Sequence, residues 1–148
     1  MLINRIPMCT FQSAVYALLT TYQTTPVYDD VGDTESADVT YPCVSFGAYR
    51  CEPNGAKDVV IFDVSLDLEM WSNYEGKKEI NEIADNLAAV YTSYGLDLSS
   101  DGYIAVAQGI DSLEAFPEEV HGYHGTLTIT AKIQYLGGGT GNGGNTTG

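Results

Sequence analysis

The sequence predicts an α+β fold, a mainly antiparallel sheet of four to five strands with two helices packed on one face. Two segments repeat apolar residues at helical spacing, and several others alternate apolar and polar residues as half-buried strands do. The connections between the predicted strands are of hairpin length. The order helix, strands, helix, strands is typical of an α+β sandwich.

The first helix is predicted over residues 10–22, with Thr10 as its N-cap. Pro26 follows the helix closely and disfavours a helical residue before it. The apolar side chains lie at spacings of four, three and four, which places them on one stripe: Phe11, Val15, Leu18 and Tyr22.

Three strands are predicted next: a short one at residues 27–28, a second over 42–51 and a third over 59–71. In the second, Val44, Phe46 and Ala48 alternate with Cys43, Ser45 and Gly47. Asn54 and Gly55 suit a tight turn, so the second and third strands should form a hairpin.

The third strand has the most regular pattern in the chain. Its apolar residues alternate with polar ones, so one face is apolar and the other carries three carboxylates: Asp63, Asp67 and Glu69. A solvated polar face is the expected interpretation. General acid and base catalysis requires two carboxyl groups in different environments, and three acids on one strand face should share one environment.

A second helix is predicted over 77–94, with Gly95 as its C-cap. Its predicted apolar face carries Ile80, Ile83, Leu87, Val90, Tyr91 and Tyr94. Two strands, over 103–116 and 121–135, complete the sheet. Residues 1–136 are therefore expected to form a single domain.

Residues 137–148 contain only Gly, Thr and Asn, and cannot bury enough apolar area to offset the entropy of ordering them. This tail is expected to be flexible unless a partner orders it. Its candidate contact residues are Gly137, Gly139, Asn142 and Gly148.

The charge balance limits the possible partners. Six Lys and Arg against 20 Asp and Glu give a formal net charge of −14, which disfavours binding to DNA or to anionic membranes. No run approaches the length of a membrane-spanning helix. Cys9, Cys43 and Cys51 have no metal-ligand spacing, so buried thiols in a soluble protein made in the cytoplasm are expected.

No enzyme, metal or cofactor is expected from the motifs. His121 and His124 form an H-x-x-H pair, but on a strand an offset of three directs the two rings to opposite faces. The acidic loop over 29–38, with Asp30, Asp33 and Glu35, does not match the spacing of a calcium loop. A solvated loop is the simpler interpretation, and ordering of this loop at an interface is compatible with the same composition.

Four segments in order resemble the tail-completion, or tail-terminator, proteins of long-tailed bacteriophages. The segments are the opening helix with 14–19, then 27–31, then 41–47, and finally 64–72, which leads through Gly76 into the second helix. Together they cover about 11–94, and the last strand fits as well.

The resemblance implies a virion structural protein without catalytic residues. Such proteins form a ring, commonly hexameric, at the head-proximal end of the tail tube, where they end tube growth and meet the head connector. The expected partners are therefore other copies of the chain, the tail tube protein and the connector proteins, with assembly in the host cytoplasm. Another neck or head-closure adaptor is the alternative, and a monomeric enzyme ranks last.

DNA would pass through such a ring without specific binding, because carboxylates repel phosphates. The candidate residues for the lumen or rim are Asp63, Asp67 and Glu69 of the third strand, together with Asp30, Asp33 and Glu35 of the acidic loop.

Overall fold

The computed structural model describes residues 5–29, 40–118 and 122–137. The helices are α1 (Met8–Tyr22) and α2 (Lys78–Ser93), and the strands are β1 (Val27–Tyr28), β2 (Cys43–Pro53), β3 (Val60–Ser72), β4 (Tyr103–Pro117) and β5 (Tyr123–Tyr135). The sheet order is β1-β2-β3-β5-β4. Only the β1–β2 pair among these strands is parallel. The predicted α+β class and the predicted hairpin of β2 and β3 are confirmed.

The centre of the sheet is β3, which pairs with β5 along its whole length, from Val60 opposite Tyr135 to Ser72 opposite Tyr123. Burial alternates without interruption along β3. Its even-numbered residues are buried beneath the helices and its odd-numbered residues lie on the opposite side, as the period-two pattern predicts.

Both helices pack on the apolar face of the sheet. The helical side chains in the core include Phe11, Val15 and Leu19 of α1 and Ile80 and Leu87 of α2. Tyr91 ties α2 to the sheet, because its buried hydroxyl donates a 2.7 Å hydrogen bond to the Thr130 carbonyl. Burial also raises the pKa of this hydroxyl, so it remains a neutral donor.

The predicted N-cap at Thr10 is wrong. Helix α1 begins at Met8, and no side chain among the described residues caps its N-terminus. The first helical bond runs from the Phe11 amide to the Pro7 carbonyl at 2.9 Å. Proline suits the start of a helix because its ring restricts φ and it lacks an amide that would need a partner.

The predicted C-cap at Gly95 is also wrong. Tyr94 is already extended, and the Gln108 side chain of β4 replaces a glycine cap. The Gln108 amide nitrogen donates to the carbonyls of Tyr91 and Tyr94 at 2.8 and 3.0 Å, and its oxygen accepts from the Leu96 amide at 2.9 Å. A cap supplied by a distant strand leaves no local signal in the helix.

Two tyrosines predicted on the apolar helix faces are instead substantially exposed. Tyr22 and Tyr94 stack on each other, with ring centroids 3.9 Å apart, at the C-terminal ends of α1 and α2. Their mutual contact buries one face of each ring, so each tyrosine loses part of its contact with water without entering the core.

The strict alternation predicted for β2 fails at its start, where Cys43, Val44, Ser45 and Phe46 are all buried. Cys43 and Ser45 lie opposite Trp71 and Glu69 of β3, on the side of the sheet away from the helices. The Trp71 indole donates a 3.1 Å bond to the Ser45 hydroxyl, so both sides of β2 are covered here. The register then shifts between Phe46 and Tyr49.

The cysteines are not uniformly buried, contrary to the expectation. Cys43 is buried, and burial raises the pKa of its thiol to about 11. Cys51 is half-buried. Cys9 is exposed, because it lies beside the buried stripe of α1 rather than on it.

We expect Gly125→Ala to lower the free energy of unfolding by about 1–3 kcal/mol, because a Cβ at Gly125 would lie 2.6 Å from Ile80 Cγ2 and 3.0 Å from Met70 Cε. The matched control is Gly109→Ala on β4, where the nearest atom, Thr130 Oγ1, would lie 3.4 Å away. Urea denaturation compares the two variants. Equal shifts of the unfolding midpoint would show that close packing of α2 on β5 is not required.

Candidate assembly surface

Neither of the two described helices packs on the second face of the sheet. This helix-free face consists of the odd-numbered residues of β3 from Ile61 to Trp71 and the residues that pair with them on the neighbouring strands. On β5 these partners are the even-numbered residues from Gln134 to His124. The three carboxylates predicted as site residues lie on this face.

Asp63 lies at one end of the helix-free face and is held by two donors. Lys132 Nζ lies 2.8 Å from its Oδ1, and Asn54 Nδ2 lies 2.6 Å from its Oδ2. The hydrogen bond from Lys132 is the main cause of a lowered pKa for Asp63. The side chain remains 42% exposed, so this ion pair contributes little to stability.

The other two carboxylates accept hydrogen bonds from β5. Asp67 accepts from the Thr128 hydroxyl at 2.7 Å, and Glu69 accepts from the Thr126 hydroxyl at 2.8 Å. Glu69 Oε1 also lies 2.5 Å from His124 Nε2, and its side chain is only 18% exposed. The expectation of a solvated face with one shared environment is therefore wrong. Alternating Thr and Lys on β5 was the sequence signal for these cross-strand partners.

At the other end of the face, His124 is packed between aromatic rings. Its imidazole stacks on Trp71 with centroids 4.0 Å apart and an interplanar angle of 7°, and Phe116 meets it edge-on at 4.9 Å. Its Nδ1 lies 3.5 Å from Glu118 Oε2. These contacts give His124 a packing role that the H-x-x-H pattern did not indicate, while His121 lies outside the described residues.

Between Asp63 and β4 the helix-free face forms an open groove of about 510 Å³. Arg50 and Glu52, which form an ion pair, line one side, and Asp111 and Gly109 line the other. Seven described carboxylates lie on or beside the helix-free face, together with two permanent cations, Arg50 and Lys132. The carboxylates are Glu52, Asp63, Asp67, Glu69, Asp111, Glu114 and, next to His124, Glu118. The face is therefore acidic although several of its charges are hydrogen-bonded.

The two edges of the sheet differ in length and composition. On one edge, β4 has 15 residues and exposes several large apolar side chains: Ile104, Val106, Ile110, Leu113 and Phe116. On the other edge, β1 covers only Val44 and Ser45 of β2. Within the described ranges, no strand pairs with the outer side of β4 or with the outer side of β2 beyond Ser45.

The remaining predicted site residues are not brought into this surface. Asp30, Asp33 and Glu35 lie outside the described residues, as do Gly139, Asn142 and Gly148 of the tail. Gly137 is described and has a positive φ of 82° directly after β5.

Two classes of site find no support in the described residues. No group of three or more His, Cys, Asp or Glu side chains there is arranged to hold a metal ion. Among the helices described, none has the length and apolar character needed to cross a membrane.

The fold and this surface define a class of small α+β proteins with two helices on one face of an antiparallel sheet and an open acidic face opposite. The family description "Tail completion protein gp17" matches residues 10–134, so the chain belongs to this family. It is a phage tail completion protein, a structural component of the virion. The match covers α2 and nearly all of α1 and of the sheet.

A solved structure has the same fold. A chain in the structure "Virion of native gene transfer agent (GTA) particle" is similar with a TM-score of 0.63 and 16% identity, over 87% of this chain and 92% of that chain. A comparison with curated proteins finds no match.

We expect Glu69→Ala to lower the free energy of unfolding by about 1–3 kcal/mol, because the partly buried His124 and Thr126 lose their shared acceptor. Asp111→Ala removes an exposed carboxylate from the same face and serves as the control. Urea denaturation measures both. A Glu69 variant as stable as the Asp111 variant would show that the cross-strand bonds contribute nothing.

Proposed function

We propose that the chain forms a ring, hexameric as the family resemblance implies, at the head-proximal end of a phage tail tube. In this position it ends tube growth and joins the tail to the head connector. Its partners are further copies of itself, the tail tube protein and the connector proteins, and assembly takes place in the cytoplasm of the host. Membership of the tail completion family supports this proposal most strongly.

The helix-free face suits the inner wall of such a ring. A wall with more carboxylates than cations repels the phosphates of passing DNA and offers no counterion release that would retain the duplex. Hydrogen bonds from β5 hold Asp67 and Glu69 in place, so the negative charge is carried by an ordered sheet rather than by mobile side chains. In this arrangement Asp63, Asp67 and Glu69 belong to the lumen. The acidic loop with Asp30, Asp33 and Glu35 is assigned to the lumen or its rim by charge alone.

The C-terminal tail is proposed as a contact for a neighbouring virion protein. Its composition gives it no core of its own, so a partner would have to supply the interactions that order it. Deleting 138–148 tests this role separately, since the deletion leaves every helix and strand of the described fold intact.

The alternative is an adaptor at another level of the neck, such as a head-closure protein. The two functions differ in what the purified protein does to the tail tube protein. A terminator caps tubes and stops their growth, whereas a head-closure adaptor leaves the tubes open and binds connector proteins.

Electron microscopy of the chain mixed with its tail tube protein tests the proposed function. We expect ring-shaped caps with six-fold symmetry on tubes that stop elongating, because the ring occupies the growing end. Tubes that elongate at the same rate with and without the chain would contradict termination and favour the adaptor.

Replacing Asp67 with Lys throughout the ring is expected to slow DNA ejection, because about six added cations would attract roughly as many phosphates. The slowing should be greater at low than at high salt concentration. The control is Asp67→Asn, which retains an acceptor for the Thr128 hydroxyl without adding a cation. Ejection from assembled phage is followed by the release of fluorescently stained DNA. Equal ejection rates for both variants at low salt would show that Asp67 does not face the lumen.

A further inference from the structure

The two open edges of the sheet are complementary in direction. Along the order β1-β2-β3-β5-β4, the pairs β2–β3, β3–β5 and β5–β4 are all antiparallel, so β2 and β4 run in opposite directions. A second copy placed beside the first in the same orientation would therefore bring its β4 against β2 in antiparallel sense. This is the pairing that extends an antiparallel sheet without reversing either chain.

The β4 edge is longer and more apolar than the edge of an isolated domain usually is. Isolated domains shorten or cover their edge strands because unpaired amides and carbonyls attract other strands. In contrast, β4 is the longest strand of the sheet, and Val106 and Leu113 on it are 53% and 44% exposed. Its two register shifts, at Ala105/Ala107 and Ile110/Ser112, disfavour pairing with an arbitrary flat strand.

An exposed cation on the open part of β2 can meet the carboxylates of β4. Because each copy carries a formal net charge of −14, two copies repel each other unless opposite charges meet at the contact. Arg50 is 74% exposed on the open part of β2, whereas β4 presents exposed Asp111 and Glu114 on the same helix-free face. The Arg50–Glu52 pair within one copy is exposed and weak, so it does not prevent Arg50 from turning toward a neighbour.

We propose that β4 of one copy pairs with the open edge of β2, from Phe46 to Pro53, of the next copy. The occupant of each edge is a second copy of this chain, and the inference rests on the proposed ring. Because the contact joins two different surfaces, it is heterologous and repeats around the ring until the rotation closes. The pairing makes one sheet that is continuous from copy to copy, with the helix-free faces side by side.

Two edge variants test the proposal. Val106→Lys/Leu113→Lys places charges on the β4 edge, and Tyr49→Asp/Arg50→Glu reverses the charge on the β2 edge. We expect each variant to remain monomeric at concentrations at which the wild type forms rings, as measured by native mass spectrometry. The control matched to the β2-edge variant is Tyr74→Asp/Lys78→Glu. It makes the same changes in charge at exposed positions before and at the start of α2 and should still form rings. Thermal unfolding confirms that all variants are folded.

Mixing the two edge variants distinguishes a heterologous contact from a symmetric one. One intact β4 and one intact β2 edge remain compatible, so the mixture should form dimers with one copy of each variant, and any larger assembly should contain the two variants in alternation. A symmetric β4–β4 contact would instead let the β2-edge variant form dimers on its own, and this result would overturn the proposal.

Amide hydrogen exchange of wild-type rings measures the protection of the same edge contact directly. The amides at the outer edges of β4 and of β2 beyond Ser45 should exchange at least about tenfold more slowly in rings than in monomers, because they open only when the contact opens. Rings without this slowing, or rings formed by either edge variant, would overturn the edge contact while leaving the proposed function standing. A wild-type chain that neither forms rings nor caps tubes would refute both.

Discussion

The structure depends on the alternation of apolar and polar residues along β3, because one face of this strand forms the core and the other carries hydrogen-bonded carboxylates. Its even-numbered side chains form the core beneath α1 and α2, and its carboxylates on the other face are bonded by the threonines and lysine of β5. A slip of one residue in the β3–β5 register would place Asp67 and Glu69 beneath the helices, where their charges would lack partners. One register therefore satisfies the core and the polar face together.

This division explains why the chain is suited to assembly. Within the described part of the chain, both helices lie on the same face, the opposite face is open and acidic, and unpaired edges remain on β4 and on β2 beyond Ser45. A ring built through those edges would use the backbone groups that the isolated sheet leaves unpaired. It would also extend the acidic face into a continuous wall, so the same sheet would serve both assembly and passage of DNA.

The elements that the sequence predicts well are those whose partners are nearby or whose pattern repeats. The strands β3 and β5 and the apolar stripe of α2 follow directly from periodicity, because a regular pattern reports a single face. The wrong predictions are those in which a residue distant in sequence provides the helix cap or the covering side chain that a neighbouring residue was expected to provide. Gln108 of β4 caps α2 in place of Gly95, and Trp71 covers the start of β2 from the unexpected side.

The sequence predicted which carboxylates belong to the candidate site, but not which residues form hydrogen bonds with them. The carboxylates were found from β3 alone, whereas their donors on β5 lie 55 to 69 residues away and require the register to be known. The aromatic packing of His124 had no local signal at all, because Trp71 and Phe116 approach it from two different strands.

The most direct test of this account is a cryo-electron-microscopy reconstruction of the chain assembled on the end of its tail tube. The account predicts that the odd-numbered residues of β3 face the channel and that α1 and α2 lie on the outside. A reconstruction in which the helices line the channel would contradict it, because the acidic helix-free face would then have no contact with the passing DNA.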